Sequence, residues 1–116
     1  MEMIDLDRWR EMPLVEQMAN IGSEVGRTRK WTEKGNPRMA ESAFLRALDL
    51  IDATIRTSRY GLDSRSALLK EICRARDLFT ESYLSSDCQT LSYLDKYFGQ
   101  FALATRGKRL FRMARL

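Results

Sequence analysis

Residues 33–57, EKGNPRMAESAFLRALDLIDATIRT, decide the fold class. Ala40, Ala43, Phe44, Ala47, Leu48, Ile51 and Ile55 recur at spacings of three and four, so they share one side of a helix of 3.6 residues per turn. Glu41, Asp49, Asp52 and Arg56 fall elsewhere on that helix. Just ahead, Gly35 can take the left-handed conformation that ends one helix and Asn36 can cap the next. Pro37 suits the first helical position, where its missing N–H costs nothing. So short a connection makes the two helices antiparallel neighbours.

Working outward, Leu14, Met18, Ile21 and Val25 form a second stripe upstream, with Pro13 in the first turn. Downstream, SRYGLDS (58–64) and SSDCQT (85–90) break the chain. The segment between them starts with Asp63 or Ser64 as its cap and aligns Leu68, Leu69, Ile72, Ala75, Phe79 and Tyr83. A last segment starts near Thr90, puts Leu91, Leu94, Phe98, Phe101 and Ala102 inward, and carries Ser92 with Asp95 as a variant of the capping box. Gly107 is expected to interrupt it. None of the four segments alternates with the period of two that a strand requires. The expectation is one all-α domain over residues 1–116, an antiparallel up-down-up-down four-helix bundle with an N-terminal arm (1–11) and a basic C-terminal tail (106–116).

Composition narrows the chemistry. At 116 residues the chain can bury one core without metal or disulfide staples. No run approaches the ~20 apolar residues of a membrane span. The start, MEMIDLDRWREM, has no apolar signal region, and a cytoplasmic location is expected. Histidine is absent, which excludes Ser-His-Asp and Cys-His nucleophile pairs, histidine zinc sites and the Glu-x-x-His ligand pairs of di-iron bundles. The two cysteines, Cys73 and Cys88, are too few for a disulfide framework and are not expected to pair. With nucleophile, base and cofactor motif missing, neither an enzyme nor a bound cofactor is expected. Arg76, at the edge of the third apolar face, needs a carboxylate; Asp49, Asp52 and Glu24 are the candidates for a structural ion pair.

The net charge of +4 resides in the tail: residues 1–105 hold 15 basic and 16 acidic side chains, and residues 106–116 hold five basic and none acidic. Arg106, Lys108, Arg109, Arg112 and Arg115 would attract phosphates of a nucleic acid or of a membrane surface, or belong to a frayed terminus.

NIGSEVGRTRKW, residues 20–31, places two glycines inside an otherwise good helix. Each costs roughly 1 kcal/mol relative to alanine. The spacing is wrong for a phosphate-binding loop, which needs four residues between glycines and a following Lys-Ser/Thr. On the helix, Ala19, Gly22 and Gly26 form a small-residue shoulder beside the core stripe, suited to close approach of another helix within the chain or across an oligomer interface. Trp31 turns away from the stripe, near Arg27 and Lys30. It would either stack on a nucleic-acid base with Arg27, Lys30 and Lys34 holding phosphate, or pack under the turn or in a homodimer seam with Arg27 covering its ring. Leu45 and Leu103, off their core stripes, add to the case for an oligomer.

Residues 12–106 resemble small, uncharacterised prokaryotic four-helix-bundle proteins, through MPLVEQMANIGSEVGRTRKWTEKGNPRMAESAFLRALDLIDATI, LKEICRARDLF and YLDKYFGQFALATR. More distantly, ANIGSEVGR (19–27) is similar to the Asn-Ile-Ala-Glu-Gly-x-Gly-Arg signature of four-helix proteins related to the ribosomal intervening-sequence protein. Asn20, Ile21, Gly26 and Arg27 match; Gly22, Ser23 and Glu24 replace Ala-Glu-Gly. That family includes pentameric RNA-binding accessory proteins, so the resemblance implies a bundle and adds weight to RNA as a partner. The ribonucleases of the HEPN type share the helical architecture but need a histidine this chain lacks. Two functions are therefore expected: a scaffold or adaptor that forms a homo-oligomer, a dimer first, and binds another protein; or an RNA- or DNA-associated accessory protein.

Overall fold

A computed structural model of the chain describes residues 4–58 and 64–114, with backbone alone at 64–66 and 106–114. The described residues are all-α: α1 (Leu6–Glu11), α2 (Leu14–Glu33), α3 (Pro37–Thr57), α4 (Ser64–Leu84) and α5 (Cys88–Ala114). No strand occurs among them.

The turn after α2 is built as its residues dictate. Gly35 sits at φ +72°, where a β-carbon would be strained, and the Asn36 side chain accepts the Met39 N–H at 3.2 Å. Pro37 opens α3. α2 packs along both α3 and α5, and α4 packs against the same two helices. Side-chain contacts set the registers. Glu24 meets Arg46 across α2 and α3, Gly22 and Gly26 lie against Phe98 and Asp95 of α5, Asp52 meets Arg76 across α3 and α4, and Glu71 meets Tyr97 across α4 and α5. Along α2 and α5, and along α3 and α4, where Phe44 meets Phe79 and Tyr83 while Asp52 meets Arg76, rising residue numbers on one helix meet falling numbers on the other.

Met18, Ile21, Val25, Phe44, Ala47, Ile51, Ile72, Ala75, Phe79, Leu91, Leu94 and Phe98 form one continuous core. Each fully buried Leu, Ile, Phe or Met contributes roughly 1.5–3 kcal/mol of transfer free energy. Phe44 anchors one end of the core, 5.1 Å from the Phe79 ring and stacked at 4.0 Å on Tyr83.

Three local expectations are corrected. Residues 6–11, expected as part of an arm, form α1: the Asp5 carboxylate caps it by accepting the Asp7 and Arg8 N–H groups, and Trp9 is buried. The indole N–H of Trp9 donates to Thr54 Oγ1 at 3.0 Å, and Gln17 donates to the Trp9 carbonyl at 2.8 Å, so α1 is tied to both α3 and α2. At the start of α5 the cap is Asp87, which accepts the Thr90 N–H and hydroxyl. Asp95 is instead turned toward α2, where Arg29 takes it at 2.7 Å. Gly107 does not interrupt α5, whose backbone stays helical to Ala114. Asp63, expected as a cap for α4, lies outside the described residues.

Candidate interaction surface

The small-residue shoulder of α2 is occupied within the chain. A β-carbon at Gly22 would lie 2.9 Å from Phe98 Cβ and 3.3 Å from the Phe98 backbone, so α5 approaches α2 as closely as glycine permits. At Gly26 the nearest atom is an Asp95 carboxylate oxygen at 3.0 Å. Both glycines are buried, and Ala19 is half-buried beside them. The close partner of this shoulder is therefore α5 of the same chain, and the dimer axis offered as an alternative is not needed to explain it.

Trp31 is half-buried on the last turn of α2, and the cation over its ring is Lys34, with Nζ 5.1 Å from the centroid. Arg27, expected to cover it, pairs with Glu24 instead. The reason is local: Glu24 lies three residues before Arg27 on the same helix, and a carboxylate outcompetes an aromatic face for a guanidinium. Glu24 is itself largely buried and also accepts from Arg46 of α3 at 3.0 Å, so one carboxylate binds two cations. Lys30 is exposed. Arg76 donates to both oxygens of Asp52, at 2.7 and 3.3 Å, while Asp49 is exposed on α3. The carboxylate of Asp52 holds the Arg76 guanidinium above its ordinary pKa, against the opposing effect of burial.

Sequence reasoning missed Arg29, the cation that joins α2 to α5. Its Nε donates to Asp95 and its Nη1 to Glu33 at 3.0–3.1 Å. Asp95 first, then Glu33, raises its pKa. The Glu33 contact was legible as an i, i+4 pair; the Asp95 contact depends on the α2–α5 register. Of the basic tail, Arg106, Lys108, Arg109 and Arg112 stand on α5 with side chains outside the described residues, and Arg115 lies outside them altogether.

The α2–α3 and α4–α5 turns enclose a cleft of about 350 Å³ lined by Thr32, Gly35, Asn36, Pro37, Ala40, Tyr83, Leu84 and Ser86. Leu84 on its rim is 73% exposed. A second cavity of about 240 Å³ lies where α1, α2, α3 and α4 meet, with Gln17, Thr57, Leu68 and Ile72 among its walls. Gln17 Oε1, buried there, has no hydrogen-bond partner among the described residues. Cys73 is exposed and Cys88 half-buried, and both are free thiols. Among the described residues no helix is long and apolar enough to cross a membrane. Searches of protein-family models, curated proteins and solved structures find no match to this chain.

Proposed function

We propose that the chain is a non-enzymatic scaffold or adaptor, an antiparallel up-down-up-down four-helix bundle of α2–α5 that self-associates as a dimer through its turn end and binds another protein. The observation that carries the proposal is the cleft between the two turns. Its lining joins the largely exposed Leu84 to the half-buried ring of Tyr83. Exposed large apolar residues beside a concavity and an aromatic are what interface cores are made of.

Sedimentation velocity at tens of micromolar tests the proposal. A dimer that becomes monomeric in Leu84→Glu, with helical content unchanged, is the expected result. A monomer at that concentration would refute self-association, and a dimer indifferent to Leu84→Glu would move the contact elsewhere.

The second reading is an RNA- or DNA-associated accessory protein in which Trp31, Lys30 and Lys34 make the contact. Its support is the exposure of the two lysines and the partial exposure of Trp31, together with the similarity of Asn20, Ile21, Gly26 and Arg27 to the intervening-sequence signature. Against it, Arg27 and Arg29 are already committed to carboxylates. Loss of RNA binding at low salt in Lys30→Gln/Lys34→Gln, absent from the dimer assay, would favour this reading.

A further inference from the structure

α5 changes character where it runs past its neighbours. Up to residue 105 its inward line is Leu91, Leu94 and Phe98, all buried, continued by the half-buried Phe101 and Thr105. Its outward side carries Tyr93 and Leu103, 64% and 65% exposed. The contacts of Gly22 with Phe98 and of Glu71 with Tyr97 set the level of the other helices. By that register the first residue of α2, Leu14, stands level with position 106, and the first residue of α4, Ser64, with position 104. The backbone of α5 nevertheless continues to Ala114. Its last eight or so residues, roughly 12 Å of helix, therefore extend beyond the first turns of both helices on which it packs.

Helical register assigns these positions to faces. Positions 108, 109 and 112 continue the inward line, and all three are basic: Lys108, Arg109 and Arg112. Positions 107, 110, 111 and 114 follow Leu103 at intervals of four, seven, eight and eleven, and they are Gly107, Leu110, Phe111 and Ala114. Arg106 stands at the border of the two faces, and Met113 falls on the basic side. The line that is apolar inside the fold thus becomes cationic beyond it, and the line that faces solvent becomes apolar. A helix extended only to lengthen the core would keep its inward line apolar.

We infer that residues 103–114 form an interfacial helix that lies on an anionic lipid surface. Charge complementarity selects this occupant: the segment holds four cations and no carboxylate. Nucleic acid would leave the apolar line in water, whereas a bilayer surface takes that line together with the cations that border it. Leu103, Leu110 and Phe111 would lie on the side toward the boundary between headgroups and acyl chains, while Arg106 at the border and Lys108, the member of the basic line nearest the apolar one, meet lipid phosphates. At about 18 Å the segment is long enough to lie in the interface and far too short to cross it.

The test is co-sedimentation of the full chain with vesicles of phosphatidylcholine alone or with about 30% phosphatidylglycerol, at about 50 and about 300 mM salt. Binding to the anionic vesicles that weakens with salt is expected, with little binding to the neutral ones. Phe111→Asp should reduce binding at least about tenfold, and Arg106→Gln/Lys108→Gln about 30-fold, from the ~1 kcal/mol that each cation contributes near such a surface. Circular dichroism of each variant should match the unsubstituted chain. Absence of vesicle binding at low salt, or binding indifferent to Phe111→Asp, would overturn the inference. So would RNA binding without vesicle binding, which would assign the cations to nucleic acid.

Discussion

Replacing Gly22 by alanine tests the closest contact in the molecule. Helix propensity alone favours the change by about 1 kcal/mol, because glycine exposes backbone and loses more freedom on folding. Packing opposes it. The new methyl carbon would lie 2.9 Å from Phe98 Cβ and 3.3 Å from the Phe98 carbonyl, whereas unstrained carbon pairs sit at about 3.5–4.0 Å. Phe98 Cβ is fixed to the backbone, so relief requires α2 and α5 to separate by roughly half an ångström or more, which forfeits part of the dispersion contact along the interface. Overpacking of this kind costs about 1–3 kcal/mol. Gly22→Ala should therefore destabilise the protein by up to about 2 kcal/mol after the propensity gain is subtracted. Gly26→Ala is the internal control, because its methyl meets the far end of the Asp95 side chain at 3.0 Å, which can rotate at the cost of part of its pairing with Arg29. Its balance should lie within about 0.5 kcal/mol of zero. In urea unfolding followed by circular dichroism, a slope of about 1–3 kcal/mol per molar would turn a difference of about 2 kcal/mol into a midpoint shift of about 0.7–2 M. Equal stabilisation by both substitutions would refute the claim that α5 lies directly on Gly22.

Trp9→Phe should cost about 1–2 kcal/mol by removing the bond to Thr54 Oγ1 and part of the buried ring, measured as the same midpoint shift; no change would mean that α1 is not docked. Glu24→Gln should cost about 1 kcal/mol, a modest figure because Arg27 and Arg46 are both more than half exposed, and the loss should shrink in high salt. The Thr90 hydroxyl and then its N–H hold the Asp87 carboxyl below its ordinary pKa. Its stabilising effect is thus present above the unfolded-state pKa and is lost as pH falls through the folded value; an NMR titration of Thr90→Val should bring Asp87 back toward the ordinary value. Burial first, and the bond to Glu71 second, push the Tyr97 phenol well above its ordinary pKa. Its contribution is therefore full below the unfolded tyrosine value near 10 and is lost as pH rises from there through the folded one. Ultraviolet titration should find Tyr97 the last tyrosine to ionise among those the structure describes, and Glu71→Ala should lower its pKa.

Helices α2 to α5 were legible because their signal is local. Leu14, Met18, Ile21 and Val25 on α2, and the matching stripes on α3, α4 and α5, repeat often enough to fix a period, and Gly35-Asn36-Pro37 carries its turn in three residues. α1 escaped because six residues hold less than two turns of pattern; its only signs were Asp5 as a cap and a tryptophan four residues later. The capping of α5 was misread because Asp95 fits the spacing after Ser92, yet its carboxylate is claimed by an arginine 66 residues away.

From its sequence alone the protein is an all-α chain whose apolar residues must share one core, because burying those stripes together is the cheapest way to remove them from water. Tertiary structure decided the contacts that depend on register between helices: α5, and not a second copy, lies on Gly22 and Gly26; Arg29 holds Asp95; Glu24 binds Arg27 and Arg46 together; and Lys34, not Arg27, covers Trp31. The physical reason is reach. Periodicity assigns a residue to a face, but a slide of one helical turn, about 5.4 Å along the partner, exchanges every side chain it meets, and only the packed core sets that slide.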